Sequence, residues 1–140
     1  HGFNYRTEDW VKCVKDATGG RGADIIVDSV GGDIAVQSLR CVAINGVLLI
    51  VGFASGTIAE LPTNRLLLKR ASAKGVMWSH DDPDEAPMIA RMTTELMAIL
   101  AEGGIDPVVS DSHSLDELPH ALNDLGNRAS VGKLVLRVKT

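Results

Sequence analysis

Two short stretches of this sequence combine residue types that could do chemistry. Asp28-Ser29-Val30-Gly31-Gly32 sets a carboxylate, a hydroxyl and two glycines at the end of a nearly continuous apolar run that begins at Ala23. Gly52-Phe53-Ala54-Ser55-Gly56 sets a second small-residue tip directly after another apolar run, Val47-Leu48-Leu49-Ile50-Val51. Backbone without a Cβ lets a ligand come close, so both tips are candidate parts of one binding site. Asp28 could act as a general base, or its carboxylate could accept hydrogen bonds from neighbouring backbone amides at the strand tip. A position at the end of a buried strand favours the second role. No catalytic side chain is assigned.

Other reactive residue types are present without a productive arrangement. His80, His113 and His120 are not spaced with cysteines or carboxylates as a metal-ligand set, and surface or loop roles are expected for them. Cys13 and Cys41 lie far apart, which suggests neither a disulfide framework nor a zinc site and fits a reducing, cytoplasmic setting. Gly19-Gly20-Arg21-Gly22 is rich in glycine, but it follows a helical pattern and precedes a strand, so it reads as a helix stop and not as a phosphate cradle.

The elements that must position the two tips follow from apolar periodicity. Gly2 to Tyr5 is a short candidate strand. A helix capped by Thr7 is expected to run to about Thr18, with Trp10, Val11, Val14 and Ala17 on one face. Ala23 to Ser29 reads as a parallel strand buried on both faces, because it lacks polar alternation. Asp33 to Val42 is helical, Asn45-Gly46 closes it, and Val47 to Val51 is the next strand. Such a β-α-β crossover builds a parallel sheet, and ligands of these sheets sit beyond the carboxyl ends of the strands. Further on, a short helix capped by Thr63 runs from Pro62 to Arg70, and Ala73 to Trp78 is a weakly charged pairing edge. A long helix from Pro83 to Glu102 carries Ile89, Met92, Leu96, Ile99 and Leu100 inward. Val108-Val109 is extended, and Ser114-Leu115-Asp116-Glu117 is a capping box before a helix with Leu115, Leu118, Leu122 and Leu125 inward. Pro119 is expected to delay the first regular turn of that helix, and Lys133 to Lys139 is the last strand.

The chain has 140 residues, 45% of them hydrophobic, enough for one globular core, and residues 1–140 are expected to form one domain. Its formal net charge of −4, with 14 Lys plus Arg and no basic cluster, provides no electrostatic footprint for nucleic acid. No apolar run approaches the roughly 20 residues of a membrane-spanning helix. The first residues lack an initiator Met and a signal-type segment, and the chain reads as beginning inside a longer protein. The fold class is α/β: a partial Rossmann-type three-layer fold with a mostly parallel sheet. The opening strand and the G-x-G-x-x-G turn of a complete dinucleotide-binding domain are absent.

Six phrases carry a resemblance to a known family. Phe3-Asn4-Tyr5-Arg6, Thr18-Gly19-Gly20-Arg21-Gly22-Ala23-Asp24, Val27-Asp28-Ser29-Val30-Gly31, Gly52-Phe53-Ala54-Ser55-Gly56, Lys74-Gly75-Val76-Met77-Trp78 and Gly132-Lys133-Leu134-Val135-Leu136 occur in this order. Together they resemble the carboxyl-terminal part of the quinone oxidoreductase branch of the medium-chain dehydrogenase/reductase superfamily, over nearly the whole chain. The resemblance implies a parent enzyme that passes hydride from NADPH to a quinone or an activated enone, a homodimer joined through the Ala73 to Trp78 segments, and inactivity of the 140-residue segment alone. It implies that Tyr5 lies against the adenosine 2′-phosphate, that Val30, Gly31 and Gly32 pass the ribose and nicotinamide, that Val51, Gly52 and Phe53 form the second tip, and that Met77 and Trp78 wall the nicotinamide. Arg128 matches a basic residue near the cofactor phosphates. Read without the family, Tyr5 is a strand-end aromatic, Trp78 a core residue and Arg128 a solvated charge. The alternatives are a zinc-dependent alcohol dehydrogenase or an enoyl reductase of the same superfamily, or a non-catalytic dimerisation module.

Overall fold

The structure, a computed structural model, describes residues 1–77, 82–127 and 129–138. Trp78, His80 and Arg128 lie outside the described residues, so the expectations attached to them have no structural counterpart here. The chain divides into two compact units, His1–Trp78 and Ser79–Thr140.

In the first unit, helix α1 (Trp10–Ala17) leads to strand β1 (Ala23–Asp28), helix α2 (Gly32–Cys41), strand β2 (Val42–Ile50), helix α3 (Thr63–Lys69) and strand β3 (Ser72–Gly75). The strands lie in the order β1-β2-β3, all parallel, so α2 and α3 are the two crossovers. Register pairs Ile26 with Leu48, and Ile50 with Gly75, which brings the carboxyl ends of the three strands level. The core on one side of this sheet is Leu39, Val42 and Leu48, with Ile26, Ile50, Leu61, Leu66 and Ala71 packed against it.

Several expected boundaries shift for identifiable reasons. Gly2 to Tyr5 is not a strand; the amides of Thr7 and Glu8 donate to the Asn4 carbonyl at 3.1 and 2.9 Å and wind this stretch into a turn. The cap of α1 is Asp9, not Thr7: the Asp9 carboxylate accepts the Lys12 amide at 3.1 Å. Gly19 and Gly20 take φ of +61° and +84°, and the Gly20 amide closes the helix on the Lys15 carbonyl at 2.7 Å. The stop read from glycine is therefore the stop observed. β2 begins at Val42, with Asn45 in the left-handed region at φ +63°. Its register against β1 jumps from Ala23↔Val42 to Ile25↔Val47, a bulge that absorbs Asn45-Gly46 within the strand. Thr63 is the first residue of α3 but makes no capping bond, and Pro62 occupies the cap position.

β1 departs from expectation in its surroundings. It is covered on one face only: Ile26 packs on the core, whereas Ile25 and Val27 are 63% and 66% exposed. Continuous hydrophobicity marks a strand compatible with cover on both faces but does not supply the covering element.

The last turns of α1, α2 and α3 each carry a basic residue, Lys15, Arg40 and Lys69. These helix ends lie at the amino-terminal end of the sheet, where a cavity is lined by Lys15, Gly20, Arg21, Gly22, residues 42–45 and Lys69. The Lys69 ammonium donates to the carbonyls of Val42 (2.5 Å) and Arg40 (3.2 Å), satisfying orphan carbonyls where α2 ends. Burial, and secondly the nearby charge of Lys15, lowers the pKa of Lys69. Burial pushes the Cys41 thiol up. Compensation of three helix dipoles accounts for this cluster of positive charge.

In the second unit, helix α4 (Ala86–Ala101) is followed by strand β4 (Val109–Ser114), a 3₁₀ turn (Leu115–Glu117), helix α5 (Leu118–Gly126) and strand β5 (Lys133–Arg137), which pairs with β4 in parallel. The capping box forms as read: the Ser114 amide donates to Glu117 Oε2 at 2.7 Å, and these bonds to Ser114 lower the Glu117 pKa. The turn it opens is 3₁₀, and Pro119 sits in the first turn of the α-helix that follows. The apolar stripes are covered less than expected. On α4 only Ile89 is buried, and Leu96, Ile99, Leu100, Met88 and Met97 are exposed. On α5 Ala121 is buried, while Leu115 before it and Leu122 and Leu125 within it are exposed. A two-stranded ribbon offers α5 only a narrow contact, which a small side chain fills. β4 also extends beyond Val108-Val109 to bury His113.

Candidate functional site

The two small-residue tips meet beyond the carboxyl ends of β1 and β2. The amides of Val51, Ala54 and Ser55 donate to the carbonyls of Asp28 (2.8 Å), Ser29 (3.0 Å) and Val30 (2.9 Å), so the segment after β2 folds back over the segment after β1. Gly31 takes φ +73° and ψ −160°, which carries the chain into the first turn of α2. A Cβ at Gly31 would stand 2.9 Å from both Phe53 Cδ1 and the Thr57 carbonyl oxygen, and one at Gly32 would stand 3.1 Å from Ser55 Oγ. Close approach of the segment after β2 therefore requires glycine at position 31, which sequence alone did not specify, whereas at position 32 the requirement comes from the left-handed backbone, φ +53°.

Asp28 is 4% exposed. Its Oδ1 accepts the amides of Val30 (3.0 Å) and Gly31 (3.1 Å), and its Oδ2 accepts Gly31 at 3.2 Å. This is the backbone-bonding role expected of it. The carboxylate also stands near the positive end of α2, whose first residue is Gly32 and whose cap position, Gly31, has no side chain to offer.

A cavity of about 750 Å³ opens beside these tips, lined by Ile50, Val51, Gly52, Phe53, Gly75, Val76 and Met77. Met77 is 78% exposed and forms an open wall. Among the described residues none of the lining side chains is titratable, so these walls can hold a flat apolar group but do not themselves donate or accept a proton. A Cβ at Gly75 would meet nothing within 4 Å, and one at Gly52 would come no nearer than 3.4 Å, to the Ser29 carbonyl oxygen. The floor is thus open where the strands end.

Of the residues singled out in the sequence, Val51, Gly52, Phe53 and Met77 line this cavity; Val30, Gly31 and Gly32 do not, and form the neighbouring tip, in which the Val30 carbonyl accepts the Ser55 amide. Gly32 also lines a smaller cavity of about 280 Å³ with Asp33, Val36, Thr57, Ile58, Ala59 and Glu60. Tyr5 does not line the cavity; it lies in the turn before α1 and is partly exposed. Ile50, Gly75 and Val76 belong to the site without having been anticipated. Their membership follows from the Ile50↔Gly75 register and from the Val76 amide bond to the Ile50 carbonyl at 2.9 Å, neither of which local sequence encodes. Among the described residues, no three His, Cys, Asp or Glu side chains are grouped so as to hold a metal ion, and no helix is long and apolar enough to cross a membrane.

Comparison with known proteins places this geometry in a family. The family model described as zinc-binding dehydrogenase matches residues 1–136. Quinone oxidoreductase-like protein 2 of Bos taurus is 35% identical over 136 residues, covering 97% of this chain and 39% of that protein. Among solved structures, Escherichia coli quinone oxidoreductase complexed with NADPH superposes with a TM-score of 0.85 at 27% identity, covering 97% of this chain and 42% of that one. The quinone oxidoreductase of Pseudomonas syringae pv. Tomato DC3000 superposes with a TM-score of 0.82 at 26% identity, with 97% and 42% coverage. The chain thus spans about two fifths of the length of these relatives.

Proposed function

Since the chain belongs to the zinc-binding dehydrogenase family of oxidoreductases, we propose that it forms the carboxyl-terminal part of the nucleotide-binding domain of an NADPH-dependent enzyme that reduces a quinone or an activated enone. The observation that carries this reading is the non-titratable cavity at the carboxyl ends of three parallel strands, walled by a glycine tip whose backbone the neighbouring tip holds in place. Bound NADPH would supply the hydride, and the protein the position, the dry walls and the exclusion of water.

The residues present fit such a group. Val30, Gly31 and Gly32 would present backbone to the ribose and nicotinamide. Val51, Gly52 and Phe53 would form the second side, and Met77 an apolar wall; the same role for Trp78 is what the resemblance implies for a residue outside the described ones. Tyr5 would reach the 2′-phosphate through its hydroxyl; the contact with the phosphates that the family resemblance implies for Arg128 falls on a residue outside the described ones. Since no described residue lining the cavity is an acid or a base, the proton that completes quinone reduction would come from a group outside these walls or from solvent.

The test is made on the full-length protein that carries this segment. NADPH should be consumed at 340 nm in the presence of a quinone, and Tyr5→Phe should weaken NADPH more than NADH. The expected loss is about 1.5–3 kcal/mol, the worth of a hydrogen bond to a charged group. Equal weakening of both cofactors would move Tyr5 to the shared adenosine; a full-length enzyme that oxidises alcohols and needs zinc would replace the quinone reading.

β3 is the last strand of its sheet, and all four of its residues are exposed. Such an edge is a template for pairing, and a homodimer through two copies of this strand is the proposed assembly. Sedimentation is expected to report twice the chain mass; a monomer at high micromolar concentration would dismiss the assembly.

A further inference from the structure

We propose that Asp28 is a positioning residue for the cofactor, acting through the Val30-Gly31 backbone and not on the reacting atoms. The inference rests on the reading above, in which the Val30 to Gly32 tip touches the nicotinamide half of NADPH. Three features of the site carry it. The carboxylate is buried, and its described hydrogen bonds are the ones to the Val30 and Gly31 amides, with no described ion pair to a Lys, Arg or His. The second of those amides is the one that enters the Gly31 conformation, φ +73° and ψ −160°, a region open essentially to glycine alone and kept only where the surroundings hold it. Finally, the residue whose amide is clamped also bears against the cavity wall, because the Gly31 Cα faces Phe53. The carboxylate therefore sets the tip and, through it, one side of the cavity.

A buried carboxylate at the positive end of a helix has a second consequence. The amino terminus of α2 would otherwise be a ready place for a ligand anion. Asp28 fills that field with a negative charge of the protein itself. The tip is thereby suited to the uncharged ribose and nicotinamide side of a dinucleotide and unsuited to its diphosphate.

The geometry separates two substitutions. Oδ1 alone accepts both amides, so Asp28→Asn can keep these two bonds, whereas Asp28→Ala keeps none. In the full-length protein, Asp28→Ala is expected to raise the NADPH Kd and KM about tenfold to a hundredfold, the worth of one bond to a charged acceptor, while kcat at saturating NADPH changes little. Asp28→Asn is expected to restore Kd and KM to within a few-fold of wild type and to leave the pH profile of kcat unchanged. Hydrogen exchange at the Val30 and Gly31 amides should be slow in the wild type and in Asp28→Asn, and fast in Asp28→Ala.

Failure of the wild-type protein to bind NADPH would overturn the cofactor reading and this assignment with it. Normal binding by wild type and by a folded Asp28→Ala, with only a lowered Tm, would overturn the positioning role alone. Loss of kcat in Asp28→Asn with an altered pH profile would make Asp28 an acid or base instead. If Asp28→Ala does not fold, wild-type exchange decides: protected Val30 and Gly31 amides with a near-normal Kd in Asp28→Asn support the clamp, and unprotected amides overturn it.

Discussion

Gly31→Ala is expected to cost roughly 2–6 kcal/mol of stability and to displace the Val30 to Gly32 tip even in molecules that remain folded. Two independent penalties combine. The backbone at φ +73° and ψ −160° is a conformation that an L side chain adopts only with strain of about 1–3 kcal/mol. The added methyl would also stand 2.9 Å from Phe53 Cδ1 and 2.9 Å from the Thr57 carbonyl oxygen, and overpacking of this kind typically costs about 1–3 kcal/mol. Phe53 could turn its ring aside. The Thr57 oxygen belongs to a backbone segment that the Ala54 and Ser55 bonds hold over the first tip, so it has less freedom to retreat. Gly75→Ala is the control, because its Cβ would meet nothing within 4 Å and its backbone lies outside the left-handed region. Urea denaturation of both variants measures the difference. Equal midpoints would mean that the tips do not press together as described.

Leu48→Ala is expected to destabilise the first unit by about 2–5 kcal/mol, the range for a buried leucine whose cavity only partly collapses. Leu48 is 0% exposed and clusters with Leu39 and Val42, with Ile26 beside it on the neighbouring strand. Domains are stable by only about 5–15 kcal/mol in total, so this one truncation should visibly weaken or unfold the unit. Leu67→Ala provides the contrast, for Leu67 is exposed on α3 and surface changes of this kind usually stay within about 0.5 kcal/mol. Thermal unfolding followed by circular dichroism distinguishes them. Similar losses for both would contradict the assigned core.

Leu48 also shows where local reading stops. In Val47-Leu48-Leu49-Ile50-Val51 every residue is apolar, so nothing in the run says which of them faces α2 and α3. The parallel register against β1, with Ile26 beside Leu48, makes the choice. Likewise Ile25, Ile26 and Val27 are equivalent in hydrophobicity, yet only Ile26 joins the core. The stripes of α4 and α5 have helical period, but a period names a face, and burial requires a surface to receive it.

What the amino-acid sequence determined by itself is whatever closes over a few residues. The left-handed stop at Gly19-Gly20, the Ser114 to Glu117 box and the bonding of Asp28 to the amides just after it all depend on partners within about five positions. The small-residue tips were legible for the same reason: glycine marks where backbone must bend. The tertiary structure alone decided which tip residues meet, because the approach of Phe53 and Thr57 to Gly31 spans more than twenty positions and depends on the sheet register. It also decided that Gly75 and Val76 complete the cavity and that Gly2 to Tyr5 winds into a turn. A strand exists only where a neighbour accepts its hydrogen bonds, and that neighbour is a property of the fold and not of the segment.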